Sequence, residues 1–316
     1  MTAVSNTRID CIVADWGTSN RRAWALSRDG AVLDERHDDK GLLAHADRQF
    51  APSFQTFCND WLTASPKAPV IMAGMVGSKM GWQEVPYQMA PMLLRELSQH
   101  LAKVQDPDFD RAWIVPGVAV DNDIAPEVMR GEECQVLAGL LRANTTEGVF
   151  LLPGTHSKWA LAEAGSLTRF RTYMTGETFG LWRKSGTLSQ LMEGDVFDET
   201  CFRRGVQQAG RPDAANLLHS LFSVRTLGLF ERLPRTGLAS YMSGVLIGAE
   251  VNDASQWLYR LGIGGSVTAI GSPGLLKSYR LAAEILGLNL VCLDSADLLP
   301  VALLELAKTA GLLPAA

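Results

Sequence analysis

The strongest constraint on the fold is an internal repeat. Ile9 to Ala14 is a short apolar run broken by Asp15-Trp-Gly-Thr-Ser-Asn20. Arg22 to Ser27 then reads as a second strand, Arg28-Asp-Gly30 as a turn and Ala31 to Glu35 as the returning strand. The same order comes back much later. Gly148 to Leu152 is broken by Pro153-Gly-Thr-His-Ser-Lys158, Trp159 to Ala162 follows, Ala164-Gly165 turns, and Leu167 to Thr172 returns. A strand, a Gly-Thr loop and a hairpin occurring twice imply two similar α/β halves, each opening on a polar loop. At 316 residues the chain is long enough for both. The polar stretch Asn144 to Glu147 marks the expected boundary, giving halves 1–143 and 144–316.

Between the repeats, apolar spacing predicts helices over Phe50 to Leu62, Met92 to Val104 and Glu132 to Arg142, with strands at Pro69 to Ala73 and Ala112 to Val115. Beyond Thr172 the chain reads as mostly helical, apart from strands near Leu261 and at Val267 to Ile270, and a helix is expected from Leu275 to Leu286. With 47% hydrophobic and 20% charged residues, a disordered or fibrous chain is excluded. A net charge of −5 argues against a general binder of nucleic acid or anionic membrane, yet a few arginines could still hold a small anion. No run approaches the roughly 20 apolar residues that span a bilayer, and the first residues lack the order of a signal peptide. The five cysteines are scattered and never form a CxxC pair, so neither zinc nor a disulfide framework is expected, and a cytoplasmic location fits.

The loops carry the chemistry. At the carboxyl end of a strand, Gly17 lets backbone N–H groups approach an anion, and Thr18, Ser19 and Asn20 add short donors. Asp15 at the strand end could hold Mg²⁺, through water. A polar turn would account for this loop alone, and Gly154-Thr155-His156-Ser157-Lys158 alone could equally be structural. Their pairing after similar strands favours two loops that hold the phosphates of one nucleotide. Neither GxxxxGK[ST] nor GxGxxG occurs, which excludes a P-loop and leaves a dehydrogenase unsupported. Gly271-Ser-Pro-Gly274, between a strand and a helix, could take an adenosine without side-chain clash, or be a plain βα turn. In Met129-Arg-Gly-Glu-Glu133 the two carboxylates open a helix, where they either complement its dipole or supply a general base. Gly74, Ser78, Trp82 and Tyr87 offer small residues and aromatic faces suited to a sugar-like ligand. His37, His45, His100 and His219 have no partner pattern and read as surface residues.

Taken together, Asp15-Trp-Gly-Thr-Ser-Asn20 with Arg22, Pro153-Gly-Thr-His-Ser-Lys158 and Ala269-Ile-Gly271-Ser-Pro-Gly274 resemble the two phosphate motifs and the adenosine motif of the actin/hexokinase/heat-shock-chaperone superfamily. Met72 to Trp82, Met129 to Glu133, Phe170 to Glu177 and Ser243 to Glu250 narrow the resemblance to the 2-dehydro-3-deoxygalactonokinase family, over nearly the whole chain. The resemblance implies two ribonuclease-H-like domains with an interdomain cleft, and ATP- and Mg²⁺-dependent phosphorylation of 2-dehydro-3-deoxy-D-galactonate at its 6-hydroxyl, in galactonate catabolism. It assigns the sugar acid to the first half and nucleotide to the second. It further implies ATP contacts from Gly17, Thr18, Ser19, Asn20, Gly154, Thr155, His156, Ser157, Lys158, Gly271 and Gly274, with the metal near Asp15. Arg22 and Arg171 are the candidates for the acid's carboxylate, with Gly74, Ser78, Trp82 and Tyr87 around the rest. Wider sugar kinases place a catalytic Asp shortly before the second loop, where this chain has Glu132 and Glu133. Glu132 is the expected base, Glu133 its alternative and Asp15 the next candidate. Leu152 stands where the first loop has Asp15, so the loops cannot do identical work. A kinase of another sugar or sugar acid, and a nucleotide-dependent sensor of the same fold, stay open as alternatives, as does a homodimer.

Overall fold

The computed structural model describes residues 8–121, 125–211 and 216–313. In chain order the first elements are β1 (Cys11–Trp16), β2 (Arg21–Leu26), β3 (Val32–Asp38), α1 (Phe50–Phe57), α2 (Asn59–Ala64) and β4 (Val70–Gly74). The short strands β5 (Gln88–Met89), β6 (Met92–Leu93), β7 (Ala102–Lys103), β8 (Ala112–Ile114), β9 (Val118–Val120) and β10 (Glu127–Met129) follow, then α3 (Glu132–Ala143). The second round comprises β11 (Gly148–Leu152), β12 (Ser157–Glu163), β13 (Ser166–Tyr173), α4 (Thr175–Lys184), α5 (Gly186–Ser189), α6 (Glu199–Ala209), α7 (Leu217–Leu229) and α8 (Leu238–Arg260). The chain closes with β14 (Val267–Gly271), α9 (Pro273–Leu286), β15 (Leu290–Asp294) and α10 (Ser295–Thr309). Among the described residues, no helix is long and apolar enough to cross a membrane.

Two compact units result. One comprises Met1–Gly148, Ala160–Phe170 and Ser295–Ala316, the other Val149–Trp159 and Arg171–Asp294. Both units are discontinuous in sequence. In the first unit the sheet runs β3-β2-β1-β4-β8-β7. β1 pairs antiparallel with β2 and parallel with β4, which is parallel to β8. The central strands β1 and β4 are nearly all apolar and buried, as a sheet covered on both faces requires. The edge strand β3, by contrast, is charged and largely exposed, which blunts the edge. α10 packs on β1, β4 and α3. The other large sheet runs β15-β14-β11-β12-β13-β6, with β11 parallel to β14 and β14 parallel to β15. Counted within each round, both sheets share the run third, second, first, fourth strand, after which the first continues into β8 and the second into β15. The repeat expected from sequence is thus present in strand order.

The first unit's core is aromatic. Trp16 stacks near Phe54 with ring centroids 5.9 Å apart, and Phe50 lies parallel to Trp82 at 6.3 Å. In the second unit α6 and α8 touch through glycines. A Cβ on Gly205 would lie 2.1 Å from the Tyr241 carbonyl oxygen, and one on Gly244 equally close to that of Phe202. Ala normally improves a helix interior by about 1 kcal/mol over Gly. Here the backbone clash outweighs that gain, and Gly205→Ala is expected to destabilise by roughly 1–3 kcal/mol through overpacking. A lower midpoint in urea, with an unchanged slope, checks this.

Several sequence expectations are corrected. The helix expected over Phe50 to Leu62 breaks at Cys58 into α1 and α2. Met92 to Val104 is not an amphipathic α-helix: Met92 and Leu93 pair with Leu167 and Ser166, and Ala102 and Lys103 with Ile114 and Trp113. Strand pairing at both ends engages the backbone groups a helix would use internally. Between them Leu94–His100 forms a 3₁₀ helix, whose three-residue turn brings Leu94 and Leu97 together into the core. Leu261 ends α8 instead of forming a strand, and Gly262 leaves the helix at φ +72°. β15 was not expected from the sequence; it is a partly exposed edge strand. His45 is buried, not superficial, with Nδ1 2.9 Å from the Gly41 carbonyl and Nε2 2.7 Å from Ser53 Oγ.

Candidate active site

In the first unit, the parallel register of β1 and β4 sets Trp16 beside Gly74, while antiparallel pairing sets Asp15 beside Arg22. Gly74 has φ +92°, and a Cβ there would fall 2.9 Å from the Trp16 carbonyl oxygen and 3.1 Å from Asp15 Oδ1. Only glycine fits both the conformation and the space. Gly131, at φ +109°, approaches in turn: its Cβ would lie 3.2 Å from Gly74 Cα. These two glycines bring the start of α3 next to the end of β1, so Asp15, Arg22, Gly74 and Glu132 gather in one place.

The two glutamates face different surroundings. Glu133 is fully buried, and the Gly131 N–H donates to both its carboxyl oxygens at 2.8 and 2.7 Å. Glu132 is partly exposed and accepts the Arg130 backbone N–H at 2.9 Å. Burial, with the charge of Glu132 adding to it, pushes the Glu133 carboxyl up to about 8. Burial likewise pushes Asp15 up to about 6, again reinforced by Glu132 and opposed by Arg22. Glu133 therefore holds its proton more tightly folded than unfolded, and its stabilising contribution is lost as pH rises from about 4.5 to about 8. Glu133→Gln is expected to flatten that decline in melting temperature while leaving turnover within a few-fold of the parent.

The loop after β1 is braced from behind. The Gly17 N–H donates to the Asn20 carbonyl at 2.9 Å, and the carbonyls of Gly17, Thr18 and Ser19 accept from Leu42, Leu43 and Gly41 at 2.9, 3.1 and 3.1 Å. Thr18, Ser19 and Asn20 consequently stand exposed on a fixed turn. Trp82 is drawn toward the core: it packs on Phe50 and Phe109, and its Nε1–H donates to Asp106 at 3.0 Å. Ser78 is partly buried and Tyr87 exposed.

In the second unit a buried carboxylate organises the other loop. Glu250 on α8 accepts from Ser157 Oγ at 2.6 Å, Trp159 Nε1 at 2.9 Å and Tyr279 Oη at 2.7 Å, and also from Thr175 Oγ1. Its pKa is raised by burial and drawn back down by those four donors. Ser157 and Lys158 are buried, Lys158 Nζ donating to Thr172 at 3.0 Å, whereas Thr155 and His156 are exposed. α4 presses on the loop, since a Cβ on Gly176 would meet the Gly154 carbonyl oxygen at 2.3 Å. The Glu177 N–H donates to the Thr155 carbonyl at 2.9 Å, and the Glu177 carboxylate contacts His156. Gly271 ends β14 against Pro153, and Gly274 lies exposed in the first turn of α9. The adenosine motif and the second loop are therefore neighbours. Arg171 is instead engaged with Asp253 at 3.3 Å and stacks over Trp257. Thr175 and Glu250 also line a cavity of about 660 Å³ with Tyr173, Ser220 and Asp253. Sequence reasoning gave Glu250 and Thr175 no role, although both fall in quoted blocks, because their partners lie far along the chain.

The fold can be placed by comparison. The activator of the 2-hydroxyisocaproyl-CoA dehydratase from Clostridium difficile, solved with ADPNP, matches with a TM-score of 0.51 at 12% identity, covering 95% of each chain. Its likeness concerns the fold alone. The duplicated sheets, each opening on a Gly-Thr loop, give the chain an actin/hexokinase-like α/β fold.

The family model for 2-keto-3-deoxy-galactonokinase matches residues 15–306. The Escherichia coli (strain K12) 2-dehydro-3-deoxygalactonokinase is 32% identical over 276 residues, 87% of this chain and 90% of that one. A crystal structure of a Sinorhizobium meliloti protein assigned to 2-dehydro-3-deoxygalactonokinase superposes with a TM-score of 0.85 at 32% identity, covering 94% and 96% of the two chains. The chain belongs to the 2-keto-3-deoxy-galactonokinase family, and it is a phosphotransferase with an alcohol acceptor.

Proposed function

We propose that the chain is an ATP-dependent kinase transferring a phosphoryl group to the 6-hydroxyl of 2-dehydro-3-deoxy-D-galactonate. The observation that carries this most is the gathering of Asp15 and Glu132 at the Gly74–Gly131 contact. Phosphoryl transfer asks the protein mainly for positioning and charge stabilisation, with one carboxylate to receive the hydroxyl proton. Glu132, partly exposed at the head of α3, takes that proton and orients the attacking oxygen. Glu133 supports the turn from within.

Thr18, Ser19 and Asn20 on the first loop, and Gly154, Thr155 and His156 on the second, serve the phosphates, with Ser157 and Lys158 anchoring the second loop from below. Gly271 and Gly274 leave room for adenosine. Asp15, a carboxylate near the end of β1, is an oxygen donor of the kind Mg²⁺ takes, and it fits a magnesium ion held by one protein carboxylate together with nucleotide phosphates and water. When bound, the ion would neutralise phosphate charge. Arg22 and Gly74 border the sugar acid, and a cytoplasmic location suits five free cysteines.

ADP release with Mg-ATP across a panel of sugar acids and neutral sugars tests this reading. Turnover dependent on 2-dehydro-3-deoxy-D-galactonate supports it. Equal turnover on a neutral sugar, or ATP hydrolysis indifferent to any acceptor, contradicts it.

A further inference from the structure

Arg130 lies between β10 and α3, two residues before Glu132, and its side chain is only 9% exposed. One guanidinium nitrogen, Nη2, donates to the Val85 carbonyl at 2.8 Å. The other two, Nε and Nη1, have no hydrogen-bond partner among the described residues, and neither does the buried Ser78 Oγ. Nη1 lies beside the residue that precedes Ser78: a Cβ on Gly77 would fall 2.9 Å from it. The Tyr87 ring covers the guanidinium, with Cζ 4.3 Å from the ring centroid, and is itself 39% exposed.

A buried cation with unanswered N–H groups is costly, because each lost water contact goes uncompensated. What the site lacks is an acceptor bearing several lone pairs and a negative charge. A carboxylate has both. Arg22 stands opposite Asp15, and Arg171 is paired with Asp253, whereas Arg130 Nε and Nη1 have no hydrogen-bond acceptor among the described residues.

We infer that Arg130, with Ser78 and beside the half-exposed Tyr87 ring, receives the carboxylate of the sugar acid and so sets the enzyme's preference for acids over neutral sugars. The inference rests on the proposed kinase reading for the identity of the acid. Seating the carboxylate on the segment that also carries Glu132 links recognition of one end of the acceptor to placement of its reacting hydroxyl at the other.

The test compares the full-length parent with Arg130→Met, Arg130→Lys and Ser78→Ala. Each is given the sugar acid, its neutral primary amide and pyruvate as a small carboxylate probe. Calorimetric binding, thermal shift and KM are read alongside kcat. The acid's Kd and KM are expected to rise roughly 10²–10³-fold in Arg130→Met, as when one partner of a buried charged pair is truncated. The amide should move less than about 3-fold and kcat by only a few-fold. Arg130→Lys should fall between, and the unliganded melting temperature of Arg130→Met should be unchanged or higher.

An acid-to-amide preference in Arg130→Met equal to the parent's would overturn the inference. Should that variant not fold, Ser78→Ala decides: a several-fold weaker acid supports the site, and no change overturns it. Binding of the acid through Arg130 without phosphate transfer would sink the kinase reading and leave the carboxylate site standing. Phosphorylation of the acid with preference retained in Arg130→Met would do the reverse.

Discussion

Glu132→Gln lowers kcat by roughly 10²–10⁴-fold, the range expected when a general base is lost, while KM for ATP and for the sugar acid stays within a few-fold. Gln keeps the size of the side chain and can still accept the Arg130 N–H through its amide oxygen. What it cannot do is receive the proton of the attacking hydroxyl. Removing the charge also relieves Asp15, whose pKa is raised partly by Glu132, so any acidic limb of the rate profile due to Asp15 should move below about 6. Steady-state kinetics with calorimetric binding of both substrates separates the two effects. If Glu133→Gln shows the loss and Glu132→Gln does not, the roles are exchanged. If neither does, Asp15 becomes the base.

Glu250→Ala carries the second large expected effect, on stability. The carboxylate answers Ser157, Trp159, Thr175 and Tyr279, all around a side chain only 3% exposed. Truncation leaves these donors facing a cavity. The three hydroxyls can turn to other acceptors, but the indole N–H of Trp159 is fixed by its ring. A loss of roughly 3–5 kcal/mol is expected, combining unsatisfied buried donors with the void. Because Ser157 belongs to the second loop and Thr175 opens the helix that presses on it, KM for ATP should rise as well. Urea denaturation checks the stability, and a loss below about 1 kcal/mol would show that the network is not what holds the loop.

The doubled order of strand, Gly-Thr loop and hairpin was legible because both copies are local: apolar runs, a break and a turn lie within about 25 residues. That Glu132 and Glu133 open a helix was legible for the same reason. Which of them is buried was not, since the answer depends on Gly131 and Gly74 meeting across sequence-distant segments. Trp82 reads as a sugar-facing aromatic in isolation, yet Phe50, Phe109 and Asp106 draw it inward. Arg171, on β13, reads as free to bind a carboxylate until Asp253 of α8 is found beside it. Arg130 escaped notice because nothing local marks a side chain whose donors go unanswered. Its isolation is a tertiary property.

The central claim is tested most directly by the product itself. Two-dimensional phosphorus–proton NMR on a reaction of the purified chain with Mg-ATP and 2-dehydro-3-deoxy-D-galactonate would locate the transferred group. The account predicts one ADP per phosphorylated acid, with phosphorus coupled to the protons on carbon 6. ADP formed alongside free phosphate and unmodified acid, or phosphorus on another carbon, would contradict it.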